Sequence, residues 1–573
     1  MAELHSGEDI LPHIPDNLTL SQFMLDYQHE MRPARSSKTP CLVDDSTGKS
    51  LSFESLRLQT EFLANGLYIQ YEIGERDTVM IFSPNHMNYP IVLWAVHKLG
   101  GIVSFSSPQS TAEELAYQLK IARVTYLVIH SNLLKVAQDA AHLVGMPSNR
   151  IILLDARSAG GAHDVFSLIN IGGRSQERSY QECQLAAGEG STKIALLCWS
   201  SGTTGMPKAV AISHRALIAN ILQMAVHNHI NSLCTSRDSR SYRPGDIALG
   251  VLPFYHVAGL VIGLHLTLFA AMTVVVIPKF DFPTLLKSIA HYKINHLIIV
   301  PPIAVAFCKH PATQRYDFRH VKYVLIGAAP VSRQVQDSIC RLCPAAQVGQ
   351  AYGLTEMTTT LSMVSGSQRR GPIGSAGRLL PGIQARVIKP DGSLARCGER
   401  GELVVKGPGM SLGYLHNPKA TKETFRDGWV YTGDEVSLSA DQEVFVHDRL
   451  KEFIKVKGVQ VSPSEIEDCL LSHPDIAEAC VIGIPDDYSG EIPVAYVALT
   501  NSAVDSLNGN RVPVSYYINS FIKHVQDRKS PYKHLKGGVR IIDEIPKNGS
   551  GKILRRVLRQ EALDPSHSKM VKL

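Results

Sequence analysis

Short apolar, β-branched runs alternate with stretches of helical spacing from about residue 50 onward. Thr78–Phe82, Thr125–Ile129, Ile151–Leu154, Ile194–Trp199, Asp246–Leu252, Thr273–Ile277, His296–Val300 and Tyr323–Ile326 each read as a buried strand. Between the first two, Thr111 and Glu114 make a Thr-x-x-Glu capping box that predicts a helix over Ala112–Ile121. Strands that alternate with helices need crossover connections, so largely parallel sheets are expected. From 371 to 449, short alternating segments rich in Gly and Pro suggest a small antiparallel or barrel-like sheet. After Arg449 a compact α+β pattern begins, and Ser462-Pro463-Ser464-Glu465 has the form of a second capping box. The expected architecture is α/β, with a large domain of doubly wound mixed sheets plus the barrel-like sheet over 1–449. A small α+β domain follows over 450–573, with a hinge near 449–452. Residues 186–192 and 502–511 are small or polar and read as loops.

Composition narrows the function classes. Hydrophobic residues are 44% and charged residues 19% of the 573, which excludes a disordered or coiled-coil chain. Fifty-eight Lys and Arg stand against 52 Asp and Glu, and a net charge of +6 over this length does not point to nucleic acid. The basic stretch Lys533–Arg559 lacks interleaved aromatics, and no nucleic-acid partner is expected. The ten cysteines are scattered, and Cys340-x-x-Cys343 has neither a second pair nor a histidine at ligand spacing. A reducing compartment is expected, with that pair on a buried face. The opening residues lack the basic start and apolar core of a secretory signal. The apolar run 257–278 is long enough for a membrane span, yet it ends in a β-branched block, Val274–Ile277, before Pro278. A buried helix running into a buried strand is expected instead.

Chemistry concentrates at 200–209, Ser-Ser-Gly-Thr-Thr-Gly-Met-Pro-Lys-Ala. The hydroxyls of Ser200, Ser201, Thr203 and Thr204, the backbone of Gly202 and Gly205, and the charge of Lys208 can cradle a polyphosphate. The glycine spacing is not that of a Walker A loop.

This stretch resembles the AMP-binding signature of the adenylate-forming superfamily: acyl- and aryl-CoA ligases, luciferases and peptide-synthetase adenylation domains. Further segments resemble the superfamily's other motifs in the same order. They are Leu-Pro-Phe-Tyr-His at 252–256, Gly-Ala-Ala-Pro at 327–330, GQAYGLTEM at 349–357, GELVVKGPGMSLGY at 401–414, Tyr-Thr-Gly-Asp at 431–434, DRLKEFIKVKGVQVSPSEIE at 448–467 and PKNGSGKILRR at 546–556. The stretch 448–467, Lys279-Phe280-Asp281-Phe282 and Pro301-Pro302 are most similar to the 4-coumarate–CoA ligase group. Three places depart from the usual pattern: Ala209 and Ala351 replace glycines, and Lys547-Asn548-Gly549-Ser550-Gly551-Lys552 replaces Lys-Thr-Ala-Ser-Gly-Lys.

The resemblance implies an ATP-dependent carboxylic acid–CoA ligase that makes an acyl-adenylate and then a thioester. ATP, Mg²⁺ and coenzyme A are the expected cofactor and co-substrates, with a small carboxylic acid as partner. Gln350, Ala351, Tyr352, Gly353 and Thr355 would join the phosphate loop at the nucleotide. Asp434 and Arg449 would hold its ribose, and Glu356, with Thr204, would hold Mg²⁺. His256 would border the acid pocket, lined further by Ala258, Ile262, Leu325, Gly327, Ala328 and Ala351. The small domain would be mobile, turning about Lys451 to present Lys552 for adenylation and then Lys455 to Gln460 for thioester formation. Lys279, Lys457 and Gly458 would meet coenzyme A.

Plant coumarate ligases carry polar groups where this chain has Ala258, Ile262 and Leu325, so an unhydroxylated acid is expected. An aromatic acid of cinnamate, benzoate or phenylacetate type is the primary reading. A medium-chain or polyketide-type fatty acid, or a stand-alone enzyme that loads a carrier protein, remains open. The C-terminal Val571-Lys572-Leu573 differs at one place from a Ser-Lys-Leu peroxisomal signal, which leaves cytoplasm and peroxisome both open.

Overall fold

The computed structural model describes all residues except 1–3, 6–9, 157–163, 176–177, 201–206, 232–240, 451, 457–458, 487–488, 510–511, 549–550 and 564–573. The C-terminal tripeptide lies outside the described residues. The chain divides into two compact units. The first comprises Met1–Arg386, Val404–Thr432 and Ser439–Val444; the second comprises Val387–Leu403, Gly433–Leu438 and Phe445–Leu573.

The first unit contains two large sheets. In a six-stranded sheet, Ile151–Leu153, Tyr126–Ile129, Thr78–Phe82, Ile102–Ser106 and Ile194–Ser200 run parallel in that spatial order. Lys208–Ser213 returns antiparallel at the edge. Thr78–Phe82 is buried along its whole length, as a central strand covered on both faces must be. In the other sheet, Leu42–Asp44, Thr273–Val276, Ile247–Gly250, His296–Ile299, Tyr323–Ile326 and Gln347–Gly353 are parallel neighbours. Thr360–Met363 and Ser375–Leu379 add on antiparallel. Val324 and Ile326 pack under the helices Phe282–His291, Pro301–Lys309 and Arg333–Leu342, so Leu325 points to the other face.

The capping box forms as expected. Thr111 accepts the Glu114 N–H, and the Glu114 side chain accepts the Thr111 N–H. At Ser462 only half of the box applies: Ser462 caps Pro463–Leu471, while the Glu465 carboxylate pairs with Lys529 and Lys533.

The apolar run is a buried π-helix, Ala258–Leu266, followed by the short helix Thr267–Phe269 and strand Thr273–Val276. No described helix is long and apolar enough to cross a membrane. Cys340 and Cys343 are buried free thiols, and burial pushes Cys343 up to about 12, which leaves it unreactive.

The loop expected over 502–511 is corrected: Asn501–Asn508 is a helix. Ala503 is buried and Leu507 packs on the core, so two apolar positions four apart are enough to dock it.

In the second unit, Val459–Val461, Ile454–Val456, Gly490–Leu499 and Ile476–Asp486 form a sheet, with Val539–Ile541 on the strand Gly490–Leu499. Residues alternate strictly between its faces. Val481, Ala495 and Val497 meet the helices Pro463–Leu471 and Val514–Gln526, while Cys480, Ile482, Val494 and Tyr496 meet Leu558 of helix Arg555–Leu563.

Candidate active site

Two paired antiparallel strands flank the phosphate-loop motif in sequence. Strand Ile194–Ser200 rises out of the six-stranded sheet and Lys208–Ser213 runs back beside it, with Ser200 opposite Lys208. Ser201, Gly202, Thr203, Thr204 and Gly205 lie outside the described residues. Ser213 then caps the helix His214–His227. Lys208 is therefore held at the start of a strand that is fixed by the sheet on one side and followed by a buried helix.

The motif ending in Tyr414 lies against strand Lys208–Ser213. Leu412 N–H donates to Ala211 O, Ala211 N–H to Gly413 O and Leu415 N–H to Ala209 O, each within 2.9 Å. Gly413 has a φ of +111°, and a Cβ there would meet the Thr421 side chain at 2.7 Å, so the turn requires glycine. The turn delivers the Tyr414 ring under Lys208, whose Nζ lies 4.8 Å from the ring centre. The Tyr414 hydroxyl donates to Glu356 Oε1 at 2.6 Å. Burial, and then the adjacent Glu356 charge, raise the phenol above its ordinary value, so it remains a donor.

Glu356 sits in the turn Thr355–Met357, directly after strand Gln347–Gly353. Its backbone carbonyl accepts the Ser411 N–H at 2.9 Å. The connection from strand to turn is tight: a Cβ on Gly353 would lie 1.6 Å from Thr359 O. Thr358 holds a φ of +70°, an outlier for a β-branched residue, and its hydroxyl donates to Gly409 O at 2.6 Å. A half-buried glutamate joined through Tyr414 to Lys208 suits Mg²⁺, which binds through one or two carboxylates together with phosphate and water. Glu356 would hold the ion, which when bound adds positive charge at the phosphates.

Gln350, Ala351, Tyr352 and Gly353 lie on the same strand, and Thr355 is buried in the turn. Gln350 Oε1 accepts the Val331 N–H at 3.1 Å, tying this strand to the Gly-Ala-Ala-Pro segment. Gly327 and Ala351 face each other, since a Cβ on Gly327 would meet Ala351 O at 3.7 Å. Ala328 is exposed and held at a φ of +75°, a strained conformation for alanine.

His256 is half-buried, and its Nδ1 lies 3.4 Å from the Ala258 N–H. The Thr359 hydroxyl donates to Val257 O at 3.1 Å, which joins this segment to the Glu356 loop. Ile262 and Leu325 are 6% and 1% exposed, so a polar group placed against either would lose water. Lys279 is exposed just beyond the carboxyl end of strand Thr273–Val276.

In the second unit, Asp434 and Arg449 form an ion pair, with Nε 3.1 Å from Oδ1. Lys455 is exposed and directly opposite Gln460 in the hairpin Ile454–Val461. The side chain of Gln460 lies outside the described residues, as do Lys451, Lys457 and Gly458. Lys552 is paired with Asn548: its N–H donates to Asn548 Oδ1 and its carbonyl accepts the Asn548 N–H, both at 2.9 Å. Three residues on, the buried Arg555 guanidinium binds both Glu467 and Glu452.

Two contributors were not singled out in the sequence. Tyr414 ends a recognised motif, but only folding shows that it touches both Lys208 and Glu356. Arg555 lies within the terminal motif, and its place as the first of two adjacent arginines is its only sequence signal.

Comparison with known proteins decides the family. The AMP-binding enzyme family matches residues 29–415, and the AMP-binding enzyme C-terminal domain matches 465–552. The chain belongs to the AMP-binding enzyme family. It is similar to an acyl-CoA ligase of Alternaria alternata, 34% identical over 97% of this chain and 96% of that protein. It is also similar to a 4-coumarate–CoA ligase of Nicotiana tabacum, 31% identical over 96% of this chain and 95% of that one. An anthranilate–CoA ligase crystallised with anthranoyl-AMP shares the fold, with a TM-score of 0.81 at 20% identity over 96% of this chain and 98% of that one. As a family member the protein is an AMP-forming acyl-CoA synthetase that works with ATP, Mg²⁺ and coenzyme A.

Removing the Tyr414 hydroxyl tests the assembled site. Tyr414→Phe is expected to raise the Mg²⁺ concentration for half-maximal activity about 10- to 100-fold, the usual effect of losing a hydrogen bond to a ligating carboxylate. A Mg²⁺ titration unchanged from wild type would show that Glu356 is oriented by other contacts.

Proposed function

We propose that the acid is aromatic and carries no ring hydroxyl, and that His256, Ala258, Ile262, Leu325, Gly327, Ala328 and Ala351 form its pocket. The burial of Leu325, together with its place on the strand that leads to Gly327, carries this reading. Relatives named as coumarate ligases support an aromatic acid. The acyl-CoA ligase relative supports a medium-chain or polyketide-type aliphatic acid as the second reading.

In the first half-reaction the carboxylate oxygen attacks the α-phosphorus of ATP. The new C–O–P linkage forms as the bond to the β-phosphate oxygen breaks, and pyrophosphate leaves. Attacking and attacked groups are both anionic, so Lys208 and Lys552 serve by offsetting charge that develops at phosphate. Ser200, Ser201, Gly202, Thr203, Thr204 and Gly205 would enclose the phosphates, with Thr204 beside Glu356 at the ion. Gln350, Ala351, Tyr352, Gly353 and Thr355 would line the base, and Asp434 and Arg449 the ribose. In the second half-reaction the coenzyme A sulfur attacks the acyl carbon, the thiol proton is lost and AMP departs.

The two lysines of the C-terminal region would act in different half-reactions. We place a hinge near 449–452, with Lys451 as pivot between a domain over 1–449 and one over 450–573. Lys552 would serve adenylation, and Lys455 with Gln460 the thioester step, where Gly458 lets pantetheine approach the backbone. Lys457 and Lys279 would meet the coenzyme A phosphates. Lys552→Ala is expected to abolish adenylation yet still convert supplied acyl-adenylate with coenzyme A, while Lys279→Ala raises only the KM for coenzyme A. Equal loss of both half-reactions in Lys552→Ala would refute the division of labour.

A phenol buried against Ile262 and Leu325 would lose its water partners, at about 1–3 kcal/mol. Cinnamate is therefore expected to exceed 4-coumarate in kcat/KM by about 5- to 100-fold. A preference for 4-coumarate in a substrate panel scored by AMP release would refute the assignment of Leu325.

A further inference from the structure

The π-helix Ala258–Leu266 has one buried position with open space in front of it. Gly263 is buried, yet a Cβ built on it would meet no atom within 4 Å. Gly259 of the same helix is the opposite case, since its Cβ would lie 2.1 Å from Pro253 O. Interiors are close-packed, so a buried glycine that faces nothing borders a void. The i→i+5 hydrogen-bond pattern of a π-helix stacks residues four and five apart, which places Ile262 and Gly263 on the face of Ala258. Gly263 therefore lies one turn beyond Ala258, which itself stands two residues after His256.

The polar side chains of His265, on this helix, and of Thr267, just after it, are already hydrogen-bonded. His265 Nδ1 is bonded to Leu260 O at 2.7 Å, and its Nε2 accepts the Trp94 indole N–H at 3.3 Å. Burial lowers this imidazole to about 4, in keeping with a neutral ring that donates from one nitrogen and accepts at the other. The Thr267 hydroxyl donates to Ile262 O at 3.2 Å. The face of the helix that carries Ala258, Ile262 and Gly263 is apolar, so the open space in front of it gives water little to bond to on that side.

We propose that Gly263 sets the depth of the acid pocket, the void in front of it taking the distal apolar end of a carboxylic acid longer than a single ring, a phenylalkyl or medium-chain acid. The assignment rests on the reading of His256, Ala258 and Ile262 as acid pocket. An acid the size of benzoate ends short of Gly263, whereas a longer tail fills the place a side chain would take. Gly263 does not touch the reacting atoms, and its effect is confined to which acids fit.

The test compares full-length wild type, Gly263→Ala and Gly263→Leu on benzoate, cinnamate, 5-phenylpentanoate and decanoate. Acid-dependent ATP–pyrophosphate exchange and Tm are measured for each. Gly263→Leu is expected to lower kcat/KM at least tenfold for the longest acid that wild type accepts, and to keep the shortest within threefold. Gly263→Ala is expected to keep or raise Tm, because its methyl group enters open space, and to give a smaller shift of the same sign. Equal losses on all acids, or a Tm lowered by several degrees in Gly263→Ala, would overturn the assignment of Gly263 alone. A wild type that adenylates only polar acids would overturn the pocket reading and this inference with it.

Discussion

Tyr414 touches a cation on its ring face and a carboxylate at its hydroxyl, and the arrangement of the large unit's site follows from that. Lys208 lies 4.8 Å from the ring centre, and Glu356 is 2.6 Å from the hydroxyl. A lysine and a glutamate proposed to address one polyphosphate would lose much of their effect by pairing with each other. An aromatic ring with a polar tip holds each by a different interaction. The π-face attracts the ammonium, and the neutral hydroxyl donates to the carboxylate without cancelling its charge. Each element that meets here does so through backbone hydrogen bonds: strand Lys208–Ser213 to segment 411–415, and Glu356 itself to Ser411. The positions of the charged groups are thus set by secondary structure rather than by long side chains alone, which is how a site is preorganised.

The smaller unit uses a buried cation for the same purpose. Arg555 is 14% exposed and binds Glu452 and Glu467 at once, with further bonds to Val481 O and Cys480 Sγ. Glu452 is the last residue of the hinge proposed at 449–452, and Arg555 is three residues from Lys552. One guanidinium therefore ties the last residue of that segment to the loop that ends in Lys552, the lysine proposed for adenylation. Its loss would leave two carboxylates buried together, a costly arrangement. The hinge segment and the lysine loop are consequently expected to move as one piece.

The parallel sheets were legible because buried strands are apolar throughout and crossover helices are not, as at Thr78–Phe82 and Ala112–Ile121. The Thr111–Glu114 box was legible because it needs only four residues. Helix Asn501–Asn508 was not, since Ala503, Val504 and Leu507 are its only apolar residues and Val504 faces outward. The π-helix was not either: Ala258–Leu266 is apolar apart from His265, so its sequence shows no stripe from which a period could be read. His256 could be placed in a site only through the resemblance, because an isolated histidine near an apolar run is more often part of the core. The role of Tyr414 was hidden because its partners, Lys208 and Glu356, come from distant parts of the chain. Gly263 carries no signal in sequence, for the space in front of it belongs to its neighbours.

The central claim is that these groups join a carboxylate to the α-phosphate of ATP before any thiol is involved. The most direct measurement is exchange of labelled pyrophosphate into ATP with Mg²⁺ and an apolar aromatic acid present and coenzyme A left out. The account predicts exchange that depends on the acid and yields no ADP. Absence of exchange until coenzyme A is added, or release of ADP and phosphate, would contradict it.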